Sequence, residues 1–338
     1  MSHVDSSKRV SGKASALQHT LSSQCGSAVS TIILYPIDVI RIRYMSQDGT
    51  FYRQHNGQTY HSIKSACKAI YEQEGLGAFF RGCHVAIIGS VCAWGIYMYL
   101  YRLMLAGYTN QIAPLFGKQE SQTAPRNWMQ VYGALDTFVQ RSGISILASC
   151  ACAVMCNPIW LVKTRMQLEE CAFRAARGDA LKVPRYYRTF CESIHHTVRT
   201  TGFLSLWRGV SAQVLLGVPN AFNLPLYETI KLYLTSGSRE EQLTLGQVFV
   251  CSTATKLILS IFTHPIAVLK TRMQDYRALV GDIQYEHFFQ SLNVVWRRGG
   301  VWDFYRGMVP SLIHSTPRSV LLFIFYEQFL KIFSKVID

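Results

Sequence analysis

The chain has 338 residues, of which 49% are hydrophobic and only 16% charged. Soluble domains carry about 25% charged residues, so the composition disfavours an ordinary soluble protein and favours a membrane protein. The mean hydropathy of +0.12 is modest, which indicates spanning segments with polar groups that face away from lipid. The net charge of +14 is typical of proteins that meet nucleic acid, anionic lipid or anionic substrates.

Nucleic acid is the weakest of these partners, because the sequence has no long basic run, zinc-ligand spacing or aromatic RNA-binding signature. The ten cysteines include no C-x-x-C pair, so neither a metal site nor a disulfide framework is predicted. No nucleophile elbow, metal motif or phosphate loop indicates an enzyme. The first residues also lack the apolar core of a secretory signal.

Residues 1–16 are predicted to form a polar tail, and residues 17–107 the first of three repeats. An apolar segment leads to Pro36-Ile37-Asp38-Val39-Ile40-Arg41, and a later Glu74-Gly75 leads to Phe80-Arg81-Gly82. The apolar run 83–106 is long enough for the roughly 20 residues of a spanning helix. Between them, residues 60–71 have the helical spacing of a short amphipathic helix.

Residues 108–140 are polar at first and broken by prolines, which predicts a loop between repeats. Residues 141–236 and 237–338 then repeat the first pattern. Their prolines are followed by the runs Ile159-Trp160-Leu161-Val162-Lys163 and Ile266-Ala267-Val268-Leu269-Lys270. Each repeat also carries an aromatic-Arg-Gly triplet, an apolar run after it (210–234 and 308–333) and a short helical segment before it (186–200 and 285–298). The sequence therefore predicts six spanning helices.

This triplicated pattern, P-x-[DE]-x-x-[KR] followed by a glycine-led [FWY]-[KR]-G, resembles the mitochondrial carrier family over nearly the whole chain. The resemblance implies an all-α membrane protein: a three-repeat, six-transmembrane-helix bundle with pseudo-threefold symmetry and short amphipathic matrix helices. It also implies transport by alternating access across the mitochondrial inner membrane. A proline inside a spanning helix removes a backbone hydrogen bond and bends the helix, so three bent helices can converge on a gate.

The resemblance implies a matrix gate in which the acid of one repeat pairs with the base of the next. Asp38 would pair with Lys163, but Trp160 and Ala267 replace the other two acids. We expect a cation–π contact of about 1 kcal/mol between Trp160 and Lys270 in place of the second pair. The predicted gate residues are Pro36, Asp38, Arg41, Pro158, Trp160, Lys163, Gln167, Pro265, Lys270 and Gln274, with the two glutamines as braces and Met45 in the third brace position.

The family's cytosolic gate motif, [FY]-[DE]-x-x-[KR], is complete only in the second repeat. The predicted cytosolic gate residues are Tyr227, Glu228, Lys231, Tyr326 and Glu327. Few ion pairs are therefore expected at either gate, and an exposed pair contributes only about 0 to 1 kcal/mol. A low barrier of this kind predicts uniport or leaky exchange.

Positions two turns into the even-numbered helices match the family's substrate contacts. The predicted substrate-binding residues are Gly89, Ser90, Trp94, Leu216, Gly217, Asn220, Lys256, His314, Ser315 and Arg318. Lys256 and Arg318 carry most weight, because a cation within a spanning segment is costly unless it faces water or a partner. His314 has three readings: a neutral donor to a ribose or amide, a protonated partner for phosphate, or a hydrogen-bonded interior histidine.

The run N-P-I-W-[LV]-V-K-T-R is most similar to the branch that carries flavin nucleotide or folate, NAD and pyrimidine nucleotides. This similarity implies an anionic heterocyclic cofactor as substrate, with FAD or folate first and NAD or a pyrimidine nucleotide as the alternative. A non-transporting membrane adaptor remains an alternative of another class, because gate acids are missing. Cardiolipin near Gly75, Gly202 and Gly300, a monomeric state, and the inner membrane rather than a peroxisome or other organelle are further expectations.

Overall fold

The structure, a computed structural model, describes residues 3–50, 53–54, 59–108, 129–169, 187–221, 223–234, 245–280 and 283–337. Every regular element in these ranges is helical. The first repeat contains α1 (His3–Ser46), α2 (Ile63–Glu74), a 3₁₀ helix (Leu76–Phe80) and α3 (Cys83–Gly107).

The second and third repeats follow the same order. The second contains α4 (Met129–Leu168), α5 (Phe190–Thr201), a 3₁₀ helix (Phe203–Trp207), α6 (Val210–Ala221) and α7 (Asn223–Leu234). The third contains α8 (Leu245–Gln274), α9 (Phe288–Asp303) and α10 (Met308–Ile337). The predicted proline positions, Pro36, Pro158 and Pro265, lie inside α1, α4 and α8.

Two helices begin earlier than the sequence analysis predicted. Helix α1 begins at His3, within the stretch expected to be a polar tail, and α4 begins at Met129, within the expected loop 108–140. Residues 3–16 contain no proline to stop a helix, and the apolar residues Val131, Leu135 and Phe138 recur at helical spacing. Residues 109–128 of the expected loop lie outside the described ranges.

The long helices form a closed ring. In order of contact, α1 packs on α3, α3 on α4, α4 on α6, α6 and α7 on α8, α8 on α10, and α10 on α1. Helices α1, α4 and α8 also contact one another. The first, third and fifth members of the ring, α1, α4 and α8, therefore meet. The gate was expected at this meeting point.

Four helical stretches in the described part of the chain are long and apolar enough to cross a membrane. They are Gln18–Ser46, Leu76–Gly107, Ser142–Leu168 and Met308–Phe333. Helix α8 has 30 residues but includes Lys256 and His264, which lower its hydropathy. The other expected span, 210–234, is divided between α6 and α7.

The glycine of each aromatic-Arg-Gly triplet packs tightly against the next repeat. A Cβ atom on Gly82 would lie 3.4 Å from the carbonyl oxygen of Lys163, one on Gly209 would lie 3.5 Å from that of Lys270, and one on Gly307 would lie 3.3 Å from that of Arg41. All three glycines also have positive φ angles, between 73° and 79°, which side chains disfavour. The triplet thus holds the start of the helix that follows it, α3, α6 or α10, against the proline-containing helix of the next repeat.

Candidate gate and substrate path

The carboxyl-terminal turns of α1, α4 and α8 come together at one end of the ring, which we call the gate end. The gate cations of the sequence pattern, Arg41, Lys163 and Lys270, lie five residues after the prolines. We call these three cations and the groups that neutralise them the ion-pair layer. That this layer forms a gate stays a prediction, whereas the contacts of its residues are given by the structure.

Asp38 is the centre of the ion-pair layer. Its carboxylate is only 4% exposed and lies 2.7 Å from the Nζ atom of Lys163 on α4. Gln167 donates from Nε2 to the same carboxylate oxygen at 2.9 Å, and Arg41 pairs with the other oxygen at 2.9 Å. The structure therefore contains the Asp38–Lys163 pair that the resemblance implied, together with a glutamine that holds it in place.

His314 also reaches this layer. Its ring is 5% exposed, with Nε2 3.9 Å from an Asp38 oxygen and Nδ1 3.5 Å from the Nη1 atom of Arg41. The structure thus links α10 to α1 through a histidine that the sequence analysis had placed among the substrate contacts. Of the three readings of His314, these contacts favour the interior, hydrogen-bonded one.

The predicted contact between Trp160 and Lys270 is wrong. The cation over the Trp160 ring is Lys163, with Nζ 5.8 Å from the ring centroid, because these two residues lie three apart on one helix face. Within the described ranges, Lys270 makes neither a hydrogen bond nor an ion pair. Ala267, which replaces the third acid, packs beside the apolar cluster of Ile42, Met45 and Val268.

The second brace glutamine serves different partners from the first. Gln274 accepts from Thr164 Oγ1 at 3.1 Å and donates to Asn157 Oδ1 at 3.3 Å. At the corresponding place in the first repeat, Thr271 donates to the Met45 sulfur at 3.8 Å. Gln274 therefore joins α4 to α8 through neutral groups, because Trp160 stands where the second repeat would supply the acid of an ion pair.

Beyond the ion-pair layer lies a second set of cations that the sequence analysis missed. Arg43, Arg165 and Arg272 follow their prolines by seven residues, and each is at most 1% exposed. Their Nε atoms donate to backbone carbonyls of the next repeat: to Gln167 at 3.1 Å, to Gln274 at 3.4 Å and to Met45 at 3.2 Å respectively. We call this set the arginine layer.

The arginine layer closes a complete ring between repeats. Its acceptors are carbonyls near the carboxyl ends of α4, α8 and α1, where helices leave such groups without internal partners. The signal was present in the sequence as a second regularly spaced cation after each proline. It could not be read as a contact, because backbone acceptors leave no trace in the sequence.

The predicted substrate residues have different surroundings. Gly89 packs between α3 and α4, since a Cβ atom there would lie 2.8 Å from Ile159 Cγ2, so helix packing accounts for this glycine instead of a substrate contact. Ser90 and Ser315 are partly buried and donate to carbonyls of their own helices. Space is open around Gly217, and Leu216 beside it is partly buried.

Three of the predicted substrate-binding residues have aromatic or cationic side chains. Trp94 is 49% exposed and stacks on Tyr97 with ring centroids 5.7 Å apart. Lys256 and Arg318 are partly buried, and neither has a hydrogen bond or ion pair within the described residues. The side chain of Asn220 lies outside the described part of the structure.

At the opposite end of the ring, a residue of the predicted cytosolic gate joins α10 to α1. The Tyr326 hydroxyl on α10 lies 2.8 Å from Nδ1 of His19 on α1, and the two rings stack with centroids 6.3 Å apart. Tyr227 and Lys231 are partly buried, and Glu327 is exposed. The side chain of Glu228 lies outside the described part, so the second-repeat motif is only partly visible.

A ring of three helical repeats with one ion-paired end defines the architecture of a membrane carrier. Comparison with known proteins agrees. The family profile described as "Mitochondrial carrier protein" matches residues 12–111, 135–238 and 241–336. The chain belongs to the mitochondrial carrier family, whose fold is the three-repeat bundle and whose members are transporters, not enzymes.

Individual relatives are distant but cover almost the whole chain. Mitochondrial substrate carrier family protein M of Dictyostelium discoideum is 28% identical, over 94% of this chain and 96% of its own length. Folate transporter 1, chloroplastic, of Arabidopsis thaliana is 25% identical over 88% and 90%. Mitochondrial FAD carrier protein FLX1 of Saccharomyces cerevisiae is 23% identical over 92% and 95%. The chain therefore aligns with these relatives over nearly the full length of each protein.

Proposed function

We propose that this carrier moves an anionic, heterocycle-bearing cofactor across the mitochondrial inner membrane by alternating access, with FAD or folate as the first candidates. The observation that carries the proposal is the pair Lys256 and Arg318. Both are partly buried cations inside spanning helices, and neither forms a direct ion pair within the described residues. Cations in such places are costly unless a ligand or water meets them.

The charges in the interior of the ring favour an anionic substrate. Arg41 and Arg318 both act on Asp38 and on His314, and Lys163 and Lys270 lie within range of the same carboxylate. Asp38 is thus one negative charge facing several positive ones. An entering phosphate or carboxylate group would lower this excess charge and leave the closed end free to rearrange.

An aromatic side chain near the predicted substrate path favours a substrate with a heterocyclic ring. Trp94 lies one helical turn beyond Ser90 on α3, is half exposed and stacks on Tyr97. A planar ring of a flavin or pterin can stack on such a group. The relatives include proteins named for folate, FAD and NAD, so they support a cofactor with a heterocyclic ring and keep NAD as the alternative.

Transport by the purified protein in liposomes tests this proposal. Labelled FAD, folate, NAD and UTP are offered separately, and we expect saturable uptake of FAD or folate. Arg318→Ala is expected to abolish uptake, while Arg298→Ala, which removes an exposed cation of α9, serves as the matched control. Preferential uptake of NAD or UTP would replace the substrate, and no uptake of any of them would contradict the proposal.

A second candidate, a non-transporting membrane adaptor, has one observation in its favour. Lys270 has no acid to pair with among the described residues, because Trp160 stands where the family has one. An adaptor would bind partners without moving a solute. Absence of uptake from a folded, reconstituted protein would favour this candidate, whereas saturable uptake would remove it.

The location and partners belong to the same proposal. We expect residence in the mitochondrial inner membrane as a monomer, with cardiolipin at the glycine-led turns near Gly75, Gly202 and Gly300. Backbone N–H groups at such helix starts suit phosphate. Organelle fractionation with inner-membrane, peroxisomal and plastid markers tests the location, since a folate transporter among the relatives is chloroplastic.

A further inference from the structure

The boundary between the third and first repeats lacks the ion pair that the family pattern would place there. Ala267 of α8 stands where an acid would face Arg41 of α1, and Arg41 pairs instead with Asp38 of its own helix at 2.9 Å. The boundary between the first and second repeats, by contrast, has the pair of Asp38 and Lys163. The segments that follow α1 and α8 supply other contacts where this acid is missing.

Arg53, in the segment after α1, reaches across to the third repeat. Its side chain is 1% exposed, and its Nη2 atom donates to the carbonyl oxygens of Arg277 at 3.2 Å and of Ile283 at 3.0 Å. The carbonyl of Ala278 lies at 3.4 Å from the same atom. Asp48 of the first repeat pairs with Arg53, so the charge is neutralised within one repeat while the hydrogen bonds reach the other.

The third repeat returns this contact. Arg277, which is fully buried, pairs with Asp275 at 3.1 Å, and its Nη1 atom donates to the carbonyl oxygen of Gln54 at 3.4 Å. The two segments therefore exchange arginine-to-carbonyl bonds in both directions.

Tyr285 adds a third contact between the same segments. Its hydroxyl donates to Asp48 at 3.2 Å, and its ring centroid lies 4.5 Å from the Cζ atom of Arg53. A cation over an aromatic ring is a further favourable contact. We call the set Asp48, Arg53, Asp275, Arg277 and Tyr285 the loop latch.

The loop latch lies at the gate end of the ring. Tyr276, between two of its members, packs on a cluster that contains Ile42 of α1, Leu168 of α4 and Val268 of α8. It also lies beside Tyr187 of the second repeat, with ring centroids 5.8 Å apart. The turn that carries Arg277 therefore contacts all three proline-containing helices beyond the ion-pair layer.

These contacts hold only while α1 and α8 stay together. If the gate end opened, Arg53 would leave the carbonyl oxygens of the third repeat, and Arg277 would leave that of Gln54. Buried donors and acceptors that lose their partners are costly. The loop latch therefore favours the closed form of this end.

We propose that the loop latch is a second closure of the gate end, which holds the third repeat to the first in place of the ion pair that Ala267 removes. Arg53 and Arg277 are then gate residues in addition to those of the proline motifs, and the latch releases when the gate opens. This role rests on the proposed transport by alternating access, in which the gate end must open.

Hydrogen–deuterium exchange of the full-length protein in neutral detergent tests the latch without a transport assay. The backbone amides of residues 275–287 are followed by mass spectrometry. Arg53→Gln removes the cation of the latch, and Arg188→Gln, which removes an exposed arginine of the second repeat, is the matched control. Tyr285→Phe removes a single hydrogen bond and provides a milder variant if Arg53→Gln does not fold.

A second substitution separates a gate from a local packing contact. Ala267→Asp restores the acid of the family pattern, and Ala267→Asn is its neutral match. Each is combined with Arg53→Gln, or with Tyr285→Phe if that variant is used. Residue 267 is outside the loop latch, so it can protect residues 275–287 only by holding the whole gate end closed.

We expect Arg53→Gln to speed exchange in residues 275–287 by about ten-fold, while Arg188→Gln leaves it unchanged. Adding Ala267→Asp should restore at least half of the lost protection, and adding Ala267→Asn should not. Unchanged exchange in the latch variants, or equal effects of Asp and Asn at position 267, would overturn the proposal.

Uptake into liposomes separates this proposal from that of the substrate. We expect the latch variant to raise the maximal rate of uptake with an unchanged KM, because the predicted substrate residues are untouched. A lower maximal rate would contradict a latch that holds the gate end closed. If no variant and no unchanged protein takes up any substrate, the proposed function fails, and the exchange measurement still decides whether the latch and position 267 act together.

Discussion

Two layers of cations hold the gate end, and they differ in the acceptors of their contacts between repeats. The ion-pair layer depends on side-chain acids, of which Asp38 alone remains at the expected positions. In the arginine layer, Arg43 and Arg272 pair with Glu74 and Asp303 within their own repeats. Its contacts between repeats go to backbone carbonyls, and all three of these are present. A substitution can delete an acid, but it cannot delete a carbonyl, so the second layer keeps its threefold order where the first has lost it.

The difference also concerns how tightly water is excluded. In the ion-pair layer, the side chains of Arg41 and Lys163 are 24% and 15% exposed, so water screens part of their attraction to Asp38. In the arginine layer, Arg43 and Arg272 have fully buried side chains. Loss of a buried partner costs more than loss of a screened one, and the arginine layer should therefore contribute more to stability.

The largest expected effect follows from removing a member of the arginine layer. Arg272→Gln deletes two bonds to Asp303 and those to the carbonyls of Met45 and Gln47. Breaking a buried pair of this kind costs about 3–5 kcal/mol. Thermal or denaturant unfolding in detergent measures the loss. Arg272→Lys keeps the charge but not the planar guanidinium, so its stability should lie between those of the unchanged protein and Arg272→Gln. An unchanged Tm for Arg272→Gln would contradict the ranking of the two layers.

A smaller effect is expected from the ion-pair layer. Asp38→Asn removes the charge that Lys163, Arg41 and Gln167 share, and hydrogen bonds to charged groups contribute about 1.5–3 kcal/mol. Because both cations are partly exposed, we expect about 2 kcal/mol in the same unfolding measurement. In liposomes, the variant should also leak preloaded substrate faster. A loss larger than that of Arg272→Gln would reverse the comparison.

These two layers show what the sequence could and could not reveal. The pair Asp38–Lys163 followed from the position of an acid and a base in repeated motifs, and the contact is present. The partners of Trp160 and Gln274 could not be obtained this way, because once the acid was replaced, the nearest group depended on helix packing. The pairing of Asp303 with Arg272 was also hidden, because the two residues lie on different helices and no repeated motif joins them.

Restoring a missing acid should make the ion-pair layer more stable, which is the opposite of the effect of Asp38→Asn. Trp160→Asp places a carboxylate where the family pattern has one and should pair with Lys270. Trp160→Asn provides the matched control for the lost ring. Because Lys270 is partly exposed, we expect the acid to add about 1 kcal/mol over the amide, seen as a higher Tm and transport slowed about five-fold. Equal behaviour of the two variants would mean that Lys270 does not close against α4.

The last prediction concerns pH and the segment that leaves the gate end after α1, where a buried ion pair lies outside both layers. Asp48 bonds the backbone N–H of Thr50 at 2.9 Å and the Tyr285 hydroxyl at 3.2 Å, and it pairs with Arg53. Burial raises the pKa of Asp48, but Arg53 and Thr50 more than offset this, so its pKa lies below the usual value.

A carboxyl with a lowered pKa in the folded state stabilises the protein fully above its unfolded pKa of about 3.9, and that stability is lost as the pH falls through the folded value. Tm measured against pH should therefore fall more steeply below pH of about 4 for the unchanged protein than for Asp48→Asn. The two curves should run parallel at higher pH, with the variant lower. Since Asp48 lies outside both cation layers, a steep fall beginning near neutral pH in both proteins would show that groups other than Asp48 control acid stability at the gate end.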